Sequence, residues 1–296
     1  MDNKLLNLTV VIVTFRTDRS ILKNCLDSID EKVKVLIVEN SKNFINYEEI
    51  KNKYNNVEII CSGSNLGMGA GNNFGVKNTK TDYVLILNPD TICEKSFFTN
   101  ISEYLNNSTD YAIIGCQYLN NDIYKPAGFF DKKKNKEIVF NQELTPVEWV
   151  VGCSMLVNMN KFENRKLFDE NFFLFFEEFD LCKNLVNKKQ KIFSSNKLII
   201  NHLGFKGSFA VDEKLHIEAS KLRNWHYMWS QFYFNKKNGS LILAYWKGFF
   251  NLLQNLFKSI LYSILKKNDE KIKYKYRFLG LWNSLLGRKS TYRINF

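Results

Sequence analysis

Three groups of residues in this 296-residue chain have the types and spacing to do chemistry. The first is acidic: Glu177, Glu178 and Asp180, flanked by Phe172, Phe173, Phe175, Phe176 and Phe179. Carboxylates in so apolar a setting lose hydration, which raises their pKa toward that of a general base working near neutral pH. A solvated first helical turn, where acids favour the positive end of the helix, explains the same cluster without chemistry. The second group pairs Asp90, carried by Asn88-Pro89-Asp90, with His202, one of only three histidines. Carboxylate and imidazole together suit a hard divalent cation; a helix-capping Asp and a packed loop His are the plainer alternatives. The third group is the glycine-rich passage 62–75, in which Gly67, Gly69 and Gly71 allow close backbone approach to a ligand and Asn65, Asn72 and Asn73 offer amides. It lacks the Gly-Lys-Ser/Thr ending of a P-loop, which argues against ordinary NTP hydrolysis, and a flexible turn ahead of a helix remains the bland reading.

The elements that must hold these groups can be read from apolar patterning. Residues 83–87 form a short apolar run, hence a buried strand, and Pro89 marks where the chain leaves the sheet. Asp90 then stands just beyond the carboxyl end of a strand, where ligands collect in open α/β sheets. Upstream, strands at 8–14, 33–38 and 57–60 alternate with helices at 18–29 and 44–54, and a helix should follow the glycines. This alternation predicts an α/β fold with a mostly parallel central sheet covered on both faces. Downstream the pattern gives a helix at 97–105, a strand at 111–115, loops or a small sub-sheet over 117–148 and a strand at 149–157. A helix then opens at the acidic cluster, and short strands follow at 192–193 and 198–200.

Beyond residue 211 the spacing is helical. One stripe runs Leu215, Ala219, Leu222, Trp225, Trp229, Phe232; a second runs Phe249, Leu252, Leu253, Leu256, Phe257, Ile260, Leu261, Ile264. Lys258 interrupts the second stripe, so it does not read as a membrane span. It packs on its own core or a partner, or it lies in a membrane interface. The expected division is a sheet domain over 1–210 and a helical appendage over 211–296.

A formal charge of +12 points to anionic partners: nucleotide phosphates, lipid headgroups or nucleic acid. Six singly scattered cysteines signal neither a disulfide framework nor a zinc site, and the first apolar run is too short for a signal peptide. The expectation is a cytoplasmic protein, peripheral at the inner face of the cell membrane if the second helical stripe meets lipid.

Seven segments, taken in order, resemble a known family. They are Val11-Ile12-Val13-Thr14-Phe15, Val38-Glu39-Asn40-Ser41, Asn65-Leu66-Gly67 through Gly75, Leu87-Asn88-Pro89-Asp90, Gly152-Cys153-Ser154-Met155-Leu156, Phe176-Glu177-Glu178-Phe179-Asp180-Leu181 and His202-Leu203-Gly204. Over residues 8–235 the chain is similar to family 2 glycosyltransferases of the GT-A fold, in particular their rhamnosyltransferase-like bacterial branch. The resemblance implies that Thr14, Phe15 and Glu39 border the nucleoside, although Asp is commoner than Glu at position 39. Asn65, Gly67, Asn72 and Asn73 would line the nucleotide and donor sugar. Asn88-Pro89-Asp90 stands where the family has DxD, so Asp90, with His202, would hold Mg²⁺ or Mn²⁺. Glu178 would be the general base, where Asp is commoner, with Glu177 as the fallback. The implied reaction is inverting transfer from a dTDP- or UDP-linked sugar, dTDP-rhamnose being favoured, to a glycan or lipid-linked acceptor in cell-surface polysaccharide synthesis. The C-terminal helices offer contact with a membrane surface or with a second copy as a homodimer. Two rival readings are a non-catalytic sugar-nucleotide-binding or scaffold protein of the same fold, and a nucleic-acid-binding protein, for which no motif is present.

Overall fold

The structure, a computed structural model, describes residues 4–44, 47–107, 109–118, 126–136, 138–140, 142–204 and 213–293. In chain order it runs β1 (Leu8–Thr14), α1 (Arg19–Asp27), β2 (Lys34–Glu39), α2 (Tyr47–Lys53), β3 (Val57–Cys61), α3 (Met68–Lys77), β4 (Tyr83–Leu87), β5 (Thr91–Cys93), α4 (Phe97–Asn106) and β6 (Ile113–Tyr118). There follow β7 (Ala127–Gly128), β8 (Leu144–Val147), β9 (Trp149–Val150), β10 (Ser154–Asn158), α5 (Glu177–Asn187) and β11 (Ile192–His202). The long helices α6 (Glu213–Asn238), α7 (Leu241–Ile264) and α8 (Asn268–Leu285) come last. Two compact units emerge: Met1–Phe168 with Leu181–Ala210, and Asp169–Asp180 with Val211–Phe296.

The first unit is built on one sheet. Strands β3, β2, β1 and β4 lie side by side and parallel, with Thr14 of β1 opposite Glu39 of β2. All seven residues of β1 are buried, which explains why it reads as an unbroken apolar run. Its side chains alternate between two apolar clusters. Val10 and Ile12 join Leu22, Cys25 and Leu26 of α1, while Val11 and Val13 join Val76 of α3. Asp18 caps α1 by accepting the Ser20 and Ile21 backbone N–H groups at 2.8 and 3.2 Å. Gly75 lets α3 lie close to the sheet, since a Cβ there would stand 2.5 Å from Val11 Cγ1 and 2.8 Å from Val38 Cγ2.

Past β4 the sheet becomes mixed. β10 inserts antiparallel between β4 and β6, β11 runs parallel to β6, and β5 and β8 add antiparallel to β11. Parallel pairing read from alternating strands and helices thus runs unbroken through the first four strands and recurs between β6 and β11. Antiparallel neighbours need no crossover helix, so the pattern does not announce them. The expected strand at 149–157 is two: β9 pairs with β7 in a small sub-sheet, and β10 joins the main sheet. Conversely, the short strands at 192–193 and 198–200 are one strand, β11, irregular between Ser194 and Ile199. The three-residue β5 has no counterpart among the sequence expectations. Residues 45–46 of the expected 44–54 helix, and 119–125 of the expected loop region, lie outside the described residues.

In the second unit α6 buries Ala219, Leu222, Trp225, Trp229 and Phe232, as their spacing predicts; the Leu215 side chain lies outside the described residues. Gly280 of α8 sits against the Trp225 carbonyl so closely that a Cβ would overlap the oxygen, and Ser284 Oγ donates to Trp229 O at 2.9 Å. On α7 the buried residues are Ala244, Gly248, Leu252 and Asn255. Of the eight-residue apolar stripe read from the sequence, only Leu252 is buried.

Candidate active site

The first unit gathers its polar residues where β1, β2 and β4 end. After β4, the Asn88 N–H donates to Cys153 O at 2.8 Å, a last link to the neighbouring chain. The Thr91 N–H then returns to Asn88 O at 3.2 Å and the Thr91 hydroxyl to the same oxygen at 2.6 Å. This closes a β-turn with Pro89 at its second position, where a fixed φ is an advantage. Within the turn Asp90 is 3% exposed, and its main-chain carbonyl accepts the Leu203 N–H at 2.9 Å. The pairing of β5 with the end of β11 sets Thr91 opposite His202, and His202 Nε2 comes to 3.3 Å from Asp90 Oδ1. His202 keeps 24% of its side-chain surface. Asn88 Oδ1 is buried with no hydrogen-bond partner among the described residues, a cost of about 1–3 kcal/mol that a cation or donor group would relieve.

These residues pass a fit test for a divalent cation shared with a ligand. No three His, Cys, Asp or Glu side chains converge there among the described residues. Asp90 and His202 are the two side chains that could ligate such an ion, and Asn88 Oδ1 belongs to the same turn. Mg²⁺ in particular is habitually held by one or two protein groups plus phosphate oxygens, and an imidazole suits Mn²⁺ as well.

At the neighbouring strand ends Thr14 Oγ1 donates to Glu39 Oε2 at 2.7 Å, both residues being buried. Burial pushes the Glu39 carboxyl above its ordinary pKa, opposed by hydrogen bonds from Thr14, Ser41 and the Arg16 backbone. Phe15, half-buried, follows Thr14 directly.

The glycine-rich passage is organised by a residue that sequence reasoning passed over. Asn40 Nδ2 donates to Gly67 O at 2.9 Å and to Asn65 Oδ1 at 3.4 Å, while its Oδ1 accepts from Leu66 N and Ser62 Oγ, both at 3.1 Å. Asn65 Oδ1 in turn accepts the Gly67 N–H at 3.1 Å, and Gly67 adopts φ +87°, a left-handed conformation that glycine takes without strain. The one available signal for Asn40 was an Asn set directly after a buried strand. Gly71 lies inside α3, where a Cβ would be 3.0 Å from Val13 Cγ1, so this glycine serves helix-to-sheet packing. Asn72 and Asn73, expected to face the ligand, are both buried. Asn72 Nδ2 bonds Met68 O within its own helix at 3.1 Å. Asn73 donates to Phe168 O at 2.9 Å and accepts from Leu167 N and Phe168 N at 3.0 Å. Its amide fixes that backbone.

In the second unit the acidic residues open α5 behind a strained turn. Phe175 and Phe176 have φ of +66° and +69°, a region that costs a non-glycine residue about 1–2 kcal/mol. Aromatic packing holds them there: the Phe176 ring lies 5.6–5.7 Å from those of Phe179, Tyr227 and Phe234, and Phe175 lies 5.8 Å from Tyr227. Asp180, 1% exposed, is clamped by Lys237 Nζ at 2.7 Å and Asn238 Nδ2 at 2.8 Å. Lys237 also reaches Asp169 Oδ2 at 2.7 Å, which the Tyr233 hydroxyl meets at 3.1 Å. Asp180 is therefore a structural clip, and the acids left for chemistry are Glu177 and Glu178. Burial raises Glu178 to about 7. Glu177 is pushed well above the usual carboxylate range, by burial first and by the Glu178 charge second, and its Oε2 is buried without a partner. Burial thus holds both carboxyls above the usual range, and the two titrate as a pair.

The chain is similar to known proteins in sequence and in fold. The chain is 26% identical over 195 residues to the low-salt glycan biosynthesis hexosyltransferase Agl10 of Haloferax volcanii, covering 60% of each chain. It is 27% identical over 192 residues to the rhamnosyltransferase WbbL of Escherichia coli K12, covering 56% of this chain and 71% of that one. The matched region thus spans 60% of the length of the archaeal relative. The structure superposes on the mannosyltransferase PcManGT of Pyrobaculum calidifontis, solved with GDP-Man and Mn²⁺, with TM-score 0.57 and 10% identity, covering 96% of this chain and 88% of that one. That likeness establishes a GT-A-type fold. Residues 9–172, more than half of the chain, match the profile of glycosyl transferase family 2, and it is to this family that the chain belongs.

Proposed function

We propose that the chain is an inverting, divalent-metal-dependent glycosyltransferase. In this reading it moves a sugar from a nucleotide-sugar donor to a hydroxyl of a glycan or lipid-linked acceptor in cell-surface polysaccharide synthesis. The observation that carries it is the approach of His202 to Asp90 beside the buried Asn88 oxygen. Such a set would suit a cation whose remaining ligands come from diphosphate oxygens and water. Asp90 and His202 would hold Mg²⁺ or Mn²⁺, which when bound neutralises charge building on a departing nucleoside diphosphate. Thr14, Phe15 and Glu39 would border the nucleoside, and the loop fastened by Asn40, with Asn65 and Gly67, would border the donor. Asn72 and Asn73 then act through the backbone that they hold. Glu178 would take the proton from the acceptor hydroxyl as its oxygen attacks the anomeric carbon, and a single displacement inverts that centre. A carboxyl raised to about 7 is ionised often enough, and basic enough, for this step near neutral pH. Glu177, its carboxyl also raised by burial and by the Glu178 charge, would disfavour a second negative charge in the pair.

The rhamnosyltransferase among the relatives favours dTDP-rhamnose as donor, with UDP-hexoses as the competing class. The experiment is turnover: purified protein with Mn²⁺, each nucleotide sugar and candidate acceptors, scored by release of nucleoside diphosphate and by the anomeric configuration of the product. Inverted product lost in Glu178→Gln upholds the proposal. A retained configuration, or no release from any donor, overturns it.

A further inference from the structure

We propose that the outward face of α7 is a docking surface for an anionic lipid bilayer. The helix is packed inside out. Small and polar residues (Ala244, Gly248, Asn255) lie buried within the helical unit, while Ile242, Trp246, Phe249, Phe250, Phe257 and Ile264 are each more than half exposed. A soluble helix normally turns its apolar stripe to the core, and monomeric proteins seldom leave so large an apolar patch in water. At about 1.5 Å per residue the face extends roughly 36 Å along the helix. No helix among the described residues is long and apolar enough to cross a membrane, and the buried side of α7 is already engaged by its neighbours. The face is therefore suited to lying in the interface plane.

Charge selects the occupant. Residues 241–264 contain no Asp or Glu, and Lys266 and Lys267 follow directly, both exposed. Lys247 and Lys258 fall together on one flank by helical spacing; Lys258 Nζ lies 5.0 Å from the centre of the Tyr274 ring, while the exposed Lys247 can lay its stem along the apolar surface with its ammonium group at headgroup level. Residues 211–296 hold sixteen Lys and Arg against five Asp and Glu, and so carry +11 of the chain's formal +12. In a two-fold contact a second copy would set this face against itself, opposing one basic excess with another, and residues 241–264 offer no acidic complement. An anionic bilayer supplies both the apolar medium for Trp246 and the phenylalanines and the counter-charge for the lysines. This inference does not depend on the sugar-transfer reading.

The test is co-sedimentation of the full chain with phosphatidylcholine vesicles, with and without about 30% phosphatidylglycerol. The protein is expected to pellet with the anionic vesicles and to bind neutral ones at least about tenfold more weakly. Trp246→Ser, Phe250→Ser and Phe257→Ser combined should lower anionic binding by about tenfold or more without moving the thermal melt, because these side chains are exposed. Lys266→Glu with Lys267→Glu should erase much of the preference for anionic lipid. Failure to pellet at low salt, or a triple variant that binds like the parent, overturns the proposal. So does a parent dimer that the triple variant converts to monomer with no vesicle binding in either, which would assign the face to a second copy.

Discussion

Replacing Glu178 by Gln should make the protein more stable and inactive at once. The Glu178 carboxyl is lifted from 4.5 to about 7 because folding strips its hydration. The folded state thus holds a proton that the unfolded chain releases, and stability falls as pH rises through this window. Below about pH 4 both states are protonated and the group contributes nothing. Above about pH 7 the ionised carboxylate costs the fold on the order of 3 kcal/mol, at about 1.4 kcal/mol per pH unit, and its partial solvent contact makes this an upper value. Gln keeps the shape and removes the charge. In thermal melts Glu178→Gln should therefore gain roughly 5 °C at pH 8 and nothing at pH 4. Glu177, relieved of the neighbouring charge that is the second cause of its elevation, should titrate lower in the same variant. Turnover should fall by about 10²–10⁴-fold, the range for loss of a general base. A variant equally or less stable at pH 8, or one that keeps its turnover, would refute the reasoning.

Other perturbations follow from the same contacts. Lys237→Met strands Asp169 and the buried Asp180, and should cost about 3 kcal/mol in urea denaturation; a loss below about 1 kcal/mol would show that the clip is ornamental. Gly280→Ala drives a Cβ into the Trp225 carbonyl, a backbone atom that cannot swing aside, and should cost about 2 kcal/mol or more, read as a lowered denaturation midpoint. Asn40→Ala removes the four hydrogen bonds that fasten the glycine-rich passage. Amide exchange over 62–67 should accelerate about tenfold or more, with donor KM raised more than kcat lowered.

The sheet half of the molecule was legible where burial on both faces writes a continuous apolar run, as in β1 and β4, and where a polar stop follows. The turn at Asn88-Pro89-Asp90 declared itself through proline chemistry. Its partner β5 did not, because three residues carry no periodicity, yet it is β5 that sets His202 beside Asp90. The backbone bonds of Asn73 were not legible, because an amide in a glycine-rich passage looks the same whether it meets a ligand or a backbone. The strained Phe175-Phe176 turn was hidden for a related reason: it contains neither Gly nor Asn, and only tertiary aromatic packing holds it. For α7, periodicity revealed an apolar stripe but not which way it points. The direction depends on small residues such as Gly248, where a Cβ would stand 3.0 Å from the Phe232 ring.

The most direct test of the central claim is nucleotide binding read by thermal shift. The purified protein would be melted with dTDP, UDP, GDP or ADP, each with and without Mn²⁺, alongside Asp90→Ala and His202→Ala. A ligand that binds only the folded state raises the melting temperature with its occupancy. The account predicts that one pyrimidine diphosphate stabilises the protein strongly, only with the metal, and that either substitution abolishes the shift. Stabilisation that ignores Mn²⁺, survives Asp90→Ala, or fails to appear with any nucleotide would contradict it.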